Sequence, residues 1–356
     1  MPLADVAESV WYGDALASRL ARVALSPFSA AFGAIVARRN AGNANSPPAP
    51  GPIPSISIGN LTVGGTGKTP ISAWFAQRFR DAGARPAIVM RGYGDDEVLV
   101  HRLLNPDVPV YGNADRTAGV LSAASHGADV AILDDAFQHH RAARVCDVVL
   151  VSADRWTGSA RLLPAGPFRE PLHALRRAQL VIVTVKAAPE DRVVATERAI
   201  RAATNSTVVT VDLTAASFSV VKQSAGDPVI AAQAMAPPAW RSDCVLAVSG
   251  IGDPLAFEQQ LHRIGLRPST LVFPDHFRYH AASVQRIVGA AAGMDAVVCT
   301  LKDAVKLGPL WPSSAVPLWY LSQSVVPRDG AEALDDVVRS VLEARRSSPS
   351  FPDPSR

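Results

Sequence analysis

Residues 57–72, SIGNLTVGGTGKTPIS, set the strongest limit on what this chain can fold into. A short apolar run enters a loop carrying Gly64, Gly65 and Gly67, and the loop ends on Lys68-Thr69, where a helical pattern starts. Glycines let backbone N–H groups approach a ligand closely and allow positive φ. A helix start favours negative charge. A lysine there reaches the outer phosphates and a hydroxyl serves a magnesium ion. Thr62, Val63, Gly64, Gly65, Thr66, Gly67, Lys68 and Thr69 therefore read as a triphosphate cradle, with Thr62 where the strict motif has glycine. Pro70 falls in the first helical turn, where a missing N–H is tolerated. The competing reading is a glycine-rich turn with an exposed lysine.

A strand feeding such a loop belongs in a parallel sheet, and the rest of the chain agrees. The runs SISIG, PAIVM, VAILD, VVLVS, QLVIVTV and TVVTVDL are apolar on both faces, and helical patterns such as ISAWFAQRFRDAG and DRVVATERAIRAA separate several of them. Strands of that kind lie in a sheet covered on both sides. The rhythm changes at SFSVVKQSAGDPVI, read as a paired-strand linker, and a second series follows with CVLAVSG, STLVF, DAVVCT and VPLWYL. The expected fold is α/β: a P-loop NTPase-like domain over residues 45–220, and a smaller α/β domain with its linker over 221–345. N-terminal helices over 1–44 precede them and a disordered tail over 346–356 follows. A chain of 356 residues suits two such units.

Further polar groups sit at strand exits, the edge where parallel sheets bind ligands. Asp134-Asp135 end an apolar strand as a magnesium-holding acidic pair would, or form a solvated turn. Asp95, Asp96 and Glu97 follow MRGYG and are either a solvated loop or a general base with metal support. LLPAGPFREP is a rigid loop ending near Arg169 and Glu170, placed for function or only for turning. His276 follows Pro274-Asp275 after another strand, a place where a lone histidine is more often structural. SGIGDP is half a dinucleotide fingerprint and weak, and the charges of TLKDAVKL suit a helix start.

A net charge of +3 without an aromatic-interleaved basic stripe excludes an obvious nucleic-acid binder. Cys146, Cys244 and Cys299 lie far apart in apolar runs and read as free thiols of a reducing compartment. Near the N-terminus, residues 23–37 carry no charge and are flanked by Arg19, Arg22, Arg38 and Arg39. The run is shorter than the ~20 residues that span a bilayer, and Pro27 interrupts it. It reads as an interfacial helix with Phe28, Phe32 and Ile35 toward acyl chains, or as an amphipathic helix packed on the protein itself.

Taken together, GNLTVGGTGKTP, RGYG, DDAFQHH, LLPAGPFREP, SGIGDP, FPDHF and KDAVKL, in this order, resemble the tetraacyldisaccharide 4'-kinase family, the lipid A 4'-kinases of Gram-negative bacteria. The resemblance implies ATP and Mg²⁺ as cofactors and an acylated disaccharide lipid as acceptor. It also implies a place at the cytoplasmic face of the inner membrane, with no nucleic acid and no obligate protein partner. It assigns the catalytic base to Asp96 with His276 as its partner from the other domain, the pair forming when the domains close, and phosphate contact to Lys68. Magnesium falls to Thr69, Glu97, Asp134 and Asp135, and acceptor contacts to Asn60, Gln138, His139 and Arg169. The sequence departs from the family at Asp95, at Ala136, at Leu301 and in a shortened segment after Tyr93. A nucleotide-dependent membrane ATPase without a lipid acceptor is the second hypothesis; another P-loop small-molecule kinase is the third. A GTPase is disfavoured, since no Asn-Lys-x-Asp guanine reader is present.

Overall fold

The computed structural model describes residues 3–44, 48–92, 95–221, 234–235 and 239–347. By contacts the chain divides into two units, and neither is continuous in sequence. Met1–Gly92, Asp107–Val211 and Pro327–Arg356 form the first; Tyr93–Pro106 and Asp212–Val326 form the second. This differs from the sequence boundaries at both ends, and packing explains each difference.

In the first unit, α1 (Leu3–Tyr12) and α2 (Leu16–Ala44) precede β1 (Ser55–Asn60), α3 (Lys68–Asp81) and β2 (Pro86–Met90). The chain then gives α4 (Asp95–Leu104) to the second unit and returns with β3 (Val110–Gly112), α5 (Arg116–Ser125) and β4 (Val130–Asp134). β5 (Cys146–Ser152), β6 (Leu180–Val185) and α6 (Glu190–Ala203) follow. The strands pair in parallel in the order β3-β2-β4-β1-β5-β6. All residues of β1, β2, β4, β5 and β6 are buried, as expected of a sheet covered on both faces. Because β4 flanks β1 on one side and β5 on the other, the chain's progression across the sheet reverses at β1. That reversal is where open parallel sheets bind ligands. α3 is anchored beneath the loop by Ile71, Phe75 and Phe79, all fully buried, each contributing about 1.5–3 kcal/mol.

The chain leaves the first unit inside β7 (Thr207–Val220), at Val211–Asp212. The second unit continues with β8 (Ala234–Met235), antiparallel to β7, then β9 (Val245–Ser249), α7 (Pro254–Arg263) and β10 (Ser269–Val272). α8 (Ala281–Ala290), β11 (Ala296–Thr300), α9 (Leu301–Leu307) and β12 (Leu318–Pro327) complete it, with β10-β9-β11-β12 parallel. The linker stretch after Val221 and before Ala234 lies outside the described residues. α10 (Ala331–Ser347) then joins the first unit, with Leu334, Val337, Val338 and Val341 buried. Where a tail is expected from residue 346, Arg346 and Ser347 are still helical; residues 348–356 lie outside the described residues.

Two local readings change. Asp95–Glu97 are the first turn of α4 rather than a loop, because Leu99, Val100, Leu103 and Leu104 give that segment an apolar face in the core shared with α9. Pro27 does not interrupt the N-terminal helix; α2 runs through it for 29 residues and is long and apolar enough to cross a membrane by length and composition. One face of α2 packs on the first unit. Ser29 Oγ donates to the Leu162 carbonyl at 2.9 Å, a Cβ on Gly33 would meet Leu162, and Asn40 Nδ2 donates to Glu170 at 2.8 Å. Leu16, Leu20, Val23, Phe28 and Ile35 are exposed, while Phe32 is half-buried.

Candidate active site

The loop between β1 and α3 is shaped by its carbonyls as much as by its glycines. The carbonyl of Thr62 accepts from Asn60 Nδ2 (2.9 Å), that of Gly64 from the Thr66 N–H (3.0 Å), that of Gly65 from Lys186 Nζ (3.1 Å) and that of Thr66 from Thr184 Oγ1 (2.9 Å). These four acceptors are engaged by the protein, as are the N–H groups of Val63, which donates to the Pro167 carbonyl at 2.8 Å, and of Thr66. Gly64 and Gly67 have φ of 105° and 86°, which a side chain would strain. No side chain caps the first turn of α3, so the orphan N–H groups of a helix start stand at the loop. Thr62 also closes an antiparallel bridge with Phe168, so the LLPAGPFREP loop lies against the cradle.

Around the cradle the first unit gathers Asn60, Lys68, Asp134, Asp135, Gln138 and Arg169. Lys68 Nζ donates to Asn60 Oδ1 at 3.2 Å and stands 3.7 Å from Asp135 Oδ1. Arg169 Nη2 bonds Asp135 Oδ1 at 3.1 Å and the Asn60 side-chain oxygen, and Gln138 Nε2 donates to the Asn60 carbonyl at 2.9 Å. Burial alone would raise the Asp135 carboxyl, but Lys68, Arg169 and Arg116 outweigh it and hold it at about 2. Asp134, buried at the end of β4, accepts from Ser72 Oγ of α3 at 3.2 Å and from the Asp135 N–H at 3.0 Å. Thr69 is half-buried in the first turn of α3. His139 is half-buried, and burial followed by Arg116 lowers its pKa. Ala136 is fully buried in an apolar cluster with Ala131 and Leu133.

Sequence reading missed Arg116. It is 3% exposed, donates to the carbonyls of Asn113 (2.9 Å) and Asp134 (3.4 Å), and adds a cation beside the acidic pair. The only signal was Asp115, a helix N-cap residue, immediately before it.

Asp96, Glu97 and His276 belong to the second unit, which corrects the expectation that Asp96 and His276 come from different domains. The packing of α4 on α9 fixes this. Asp96 and Glu97 stand in the first turn of α4; His276 follows β10 with φ of 56°. His276 Nδ1 is 3.9 Å from Asp96 Oδ2, Nε2 is 4.0 Å from Asp275 Oδ2, and the ring is 59% exposed. Glu97 Oε1 accepts from Lys302 Nζ at 3.2 Å. Burial would lower the Lys302 ammonium, yet Glu97, with Asp275 and Asp96 behind it, raises its pKa.

Asp303 organises the floor of this region. Fully buried, it accepts from the Gly250 N–H (3.0 Å), Thr300 Oγ1 (2.7 Å) and Tyr279 OH (3.0 Å). A Cβ on Gly250 would lie 3.0 Å from both Asp303 Oδ1 and the Tyr279 hydroxyl, so SGIGDP has a glycine for close approach to side chains and not for a dinucleotide. Cys146 and Cys299 are buried and Cys244 half-buried, all as free thiols. Tyr93 and the shortened segment after it fall partly outside the described residues, as does the side chain of Asp95.

A family model described as tetraacyldisaccharide-1-P 4'-kinase, LpxK, matches residues 21–103 and 93–343. A tetraacyldisaccharide 4'-kinase of Halorhodospira halophila is 35% identical over 349 residues, covering 89% of this chain and 91% of the relative. One from Anaeromyxobacter dehalogenans (strain 2CP-C) is 35% identical over 344 residues, covering 86% and 88%. The fold is similar to that of LpxK from Aquifex aeolicus in complex with ATP, with a TM-score of 0.69 and 24% identity, over 91% of this chain and 99% of that one.

Proposed function

Since the chain belongs to the tetraacyldisaccharide-1-P 4'-kinase family, we propose that it transfers the γ-phosphate of ATP to the 4'-hydroxyl of a tetraacylated glucosamine disaccharide 1-phosphate, forming lipid IVA. The observation that carries this reading is the cradle itself. Its carbonyls are turned to the protein, its helix start is uncapped, and Lys68 stands at its end. Phosphoryl transfer asks mainly for positioning and charge neutralisation, and this arrangement supplies both.

Lys68 binds the outer phosphate oxygens and neutralises charge that builds as the phosphoryl group moves. Asn60 holds it at the loop, and Lys68 itself, with Arg169 and Arg116, keeps Asp135 ionised. A magnesium ion fits the donor chemistry here: the Thr69 hydroxyl and the carboxylates of Asp134 and Asp135 form an all-oxygen set. Among the described residues no three carboxylate or imidazole residues form a metal cluster. Mg²⁺ commonly takes one or two carboxylates and completes its shell with water and phosphate oxygens, so that is no obstacle. When bound, the ion supplies positive charge to the β and γ oxygens. Glu97, assigned to the metal by sequence, is held by Lys302 in the second unit, and Asp134 and Asp135 are the better-supported ligands.

Asp96 accepts the proton of the acceptor hydroxyl, and His276 orients and polarises it. In a loose transition state the alcohol loses its proton late, so a carboxylate suffices as base; a positioned base is worth about 10²- to 10⁴-fold. Gln138, His139 and Arg169 contact the acceptor. The exposed apolar face of α2, with its flanking arginines, lies on the cytoplasmic surface of the inner membrane, where an acylated acceptor resides.

The test is direct. The purified chain, incubated with Mg-ATP and the tetraacyldisaccharide 1-phosphate, should add one phosphate to the lipid by mass spectrometry. ATP consumption that proceeds at the same rate without the acceptor would favour an ATPase switch instead.

A further inference from the structure

Arg155 takes no part in the roles assigned so far, yet it lies between the N-terminal helices and the nucleotide loop. It follows the exit of β5. Its Nη2 donates to both carboxylate oxygens of Glu8 on α1, at 2.6 and 2.8 Å, and its guanidinium carbon stands 4.1 Å from the ring centroid of Tyr12. The same guanidinium lies against Gly64: a Cβ there would sit 3.6 Å from Nη2, 3.7 Å from Cζ and 3.8 Å from Nε. The side chain is 11% exposed.

Its neighbour serves the loop as well. Asp154 accepts from the N–H groups of Lys186 (2.8 Å) and Ala187 (2.7 Å), and Lys186 Nζ donates to the Gly65 carbonyl. Asp154 and Arg155 therefore support consecutive glycines of the cradle, one through Lys186 and one directly. Gly64 is in the left-handed region, so its peptide orientation depends on what packs beside it. A charge-assisted pair to Glu8 on one side and the Tyr12 ring on its face hold the planar guanidinium in place, which makes Arg155 an abutment for as long as α1 holds it.

We propose that Arg155 is a positioning residue for the nucleotide loop, and that α1, through Glu8 and Tyr12, sets the loop's affinity for ATP by holding Arg155 against Gly64. The proposal rests on the reading of residues 62–69 as the nucleotide cradle. It makes α1 part of the kinase machinery and not only an attachment. α1 is also tied to the first unit at a second point, Trp11 Nε1 donating to the Pro164 carbonyl at 2.9 Å, which provides a control.

Steady-state kinetics of the full chain with Mg-ATP and the lipid acceptor separate the possibilities. Glu8→Gln and Arg155→Gln should each raise KM for ATP about tenfold, the size of coupling usual between contacting residues. The value of kcat at saturating ATP and KM for the lipid should stay within about twofold, the pattern of lost ground-state binding. The double variant should be no worse than Arg155→Gln alone, and the reversed pair E8R/R155E should recover part of the ATP affinity. Trp11→Phe, which removes only the hydrogen bond to the Pro164 carbonyl and leaves Glu8 and Tyr12 on Arg155, should leave KM for ATP unchanged. Thermal melting of each variant identifies any that is unfolded, and the near-isosteric Glu8→Gln carries the test if Arg155→Gln does not fold. An unchanged KM for ATP in Glu8→Gln, or an equal rise in Trp11→Phe, overturns the proposal. If Lys68→Ala also retains normal ATP affinity, the reading of the loop itself falls, and the proposal with it.

Discussion

The acidic groups of the two units are held in opposite ways. In the first unit, Asp134 and Asp135 sit in a closed network: Ser72, Arg169, Lys68 and Arg116 surround them, and Asp135 is held at about 2. In the second, Asp96 and His276 are 3.9 Å apart, beyond hydrogen-bonding distance, with the imidazole more than half exposed. Charges already paired before ligand arrives are preorganised to hold fixed charge, which phosphates and a cation bring. A carboxylate and an imidazole not yet bonded to each other, with the imidazole facing solvent, are suited to a partner that arrives and leaves, as an acceptor hydroxyl does. Catalytic hydrogen bonds often tighten only in the substrate complex, so the gap between Asp96 and His276 does not count against their pairing.

Breaking the closed network should have the larger effect. Lys68→Ala removes the ammonium at the end of the cradle, and the rate of phosphoryl transfer should fall about 10²- to 10³-fold, the usual cost of deleting a preorganised charge-stabilising donor. Single-turnover rates at saturating Mg-ATP would reveal it. A variant with undiminished turnover would remove Lys68 from the mechanism.

The open pair is tested by a double-mutant cycle. Asp96→Asn should lower kcat about 10²-fold or more, and His276→Ala less, with the double variant close to Asp96→Asn alone. If the two losses multiply, the residues act separately, and the contrast between a closed charge site and an open proton-transfer pair is lost.

The same contrast explains what the sequence disclosed. The cradle and the acidic pair are contiguous patterns whose meaning comes from local chain geometry: a strand, glycines at positive φ, a helix start. Such patterns survive in one dimension. Arg116 and Arg155 owe their importance to what lies across the fold from them, Asp134 and Gly64, and nothing within a few residues of either arginine names those partners. Asp96 was legible as a residue but not in its unit, because that depended on Val100 and its neighbours burying an apolar helical face beside α9. Glycines before the acidic run made a loop the natural reading, and the short helix that follows has only moderate periodicity. Pro27 misled for a different reason: proline is unfavourable inside a helix, but the long apolar register of α2 carries the helix through it.

A smaller effect concerns α2. Replacing Phe28 and Ile35 by Ser removes exposed apolar surface without touching the packed face that holds Ser29 and Asn40. Partitioning onto anionic vesicles, measured by sedimentation, should weaken about tenfold or more, in line with the lost apolar area. Turnover on a soluble short-chain acceptor should change little. Equal loss on both acceptors would mean that these side chains serve the fold of the first unit.

The smallest effect is expected at His140, five residues after the acidic pair in sequence and outside the cradle. Burial, with Arg177 and Arg144 adding to it against a weaker opposing pull from Glu170, lowers its pKa from 6.5 to about 4. The unfolded chain therefore binds this proton near pH 6.5, and the native chain not until about pH 4. Between those values the unfolded state holds more protons, so the contribution of His140 to stability is full above pH 6.5 and declines as the pH falls toward 4. Below that both states are protonated and this group contributes no further slope. Urea unfolding across the window should show stability falling with pH, and His140→Gln, which keeps a polar side chain but cannot take the proton, should flatten the fall. An unchanged slope in that variant would mean that the imidazole titrates alike in both states, and that the positive charge of Arg177 and Arg144 is spent on Glu170 and Asp147 alone.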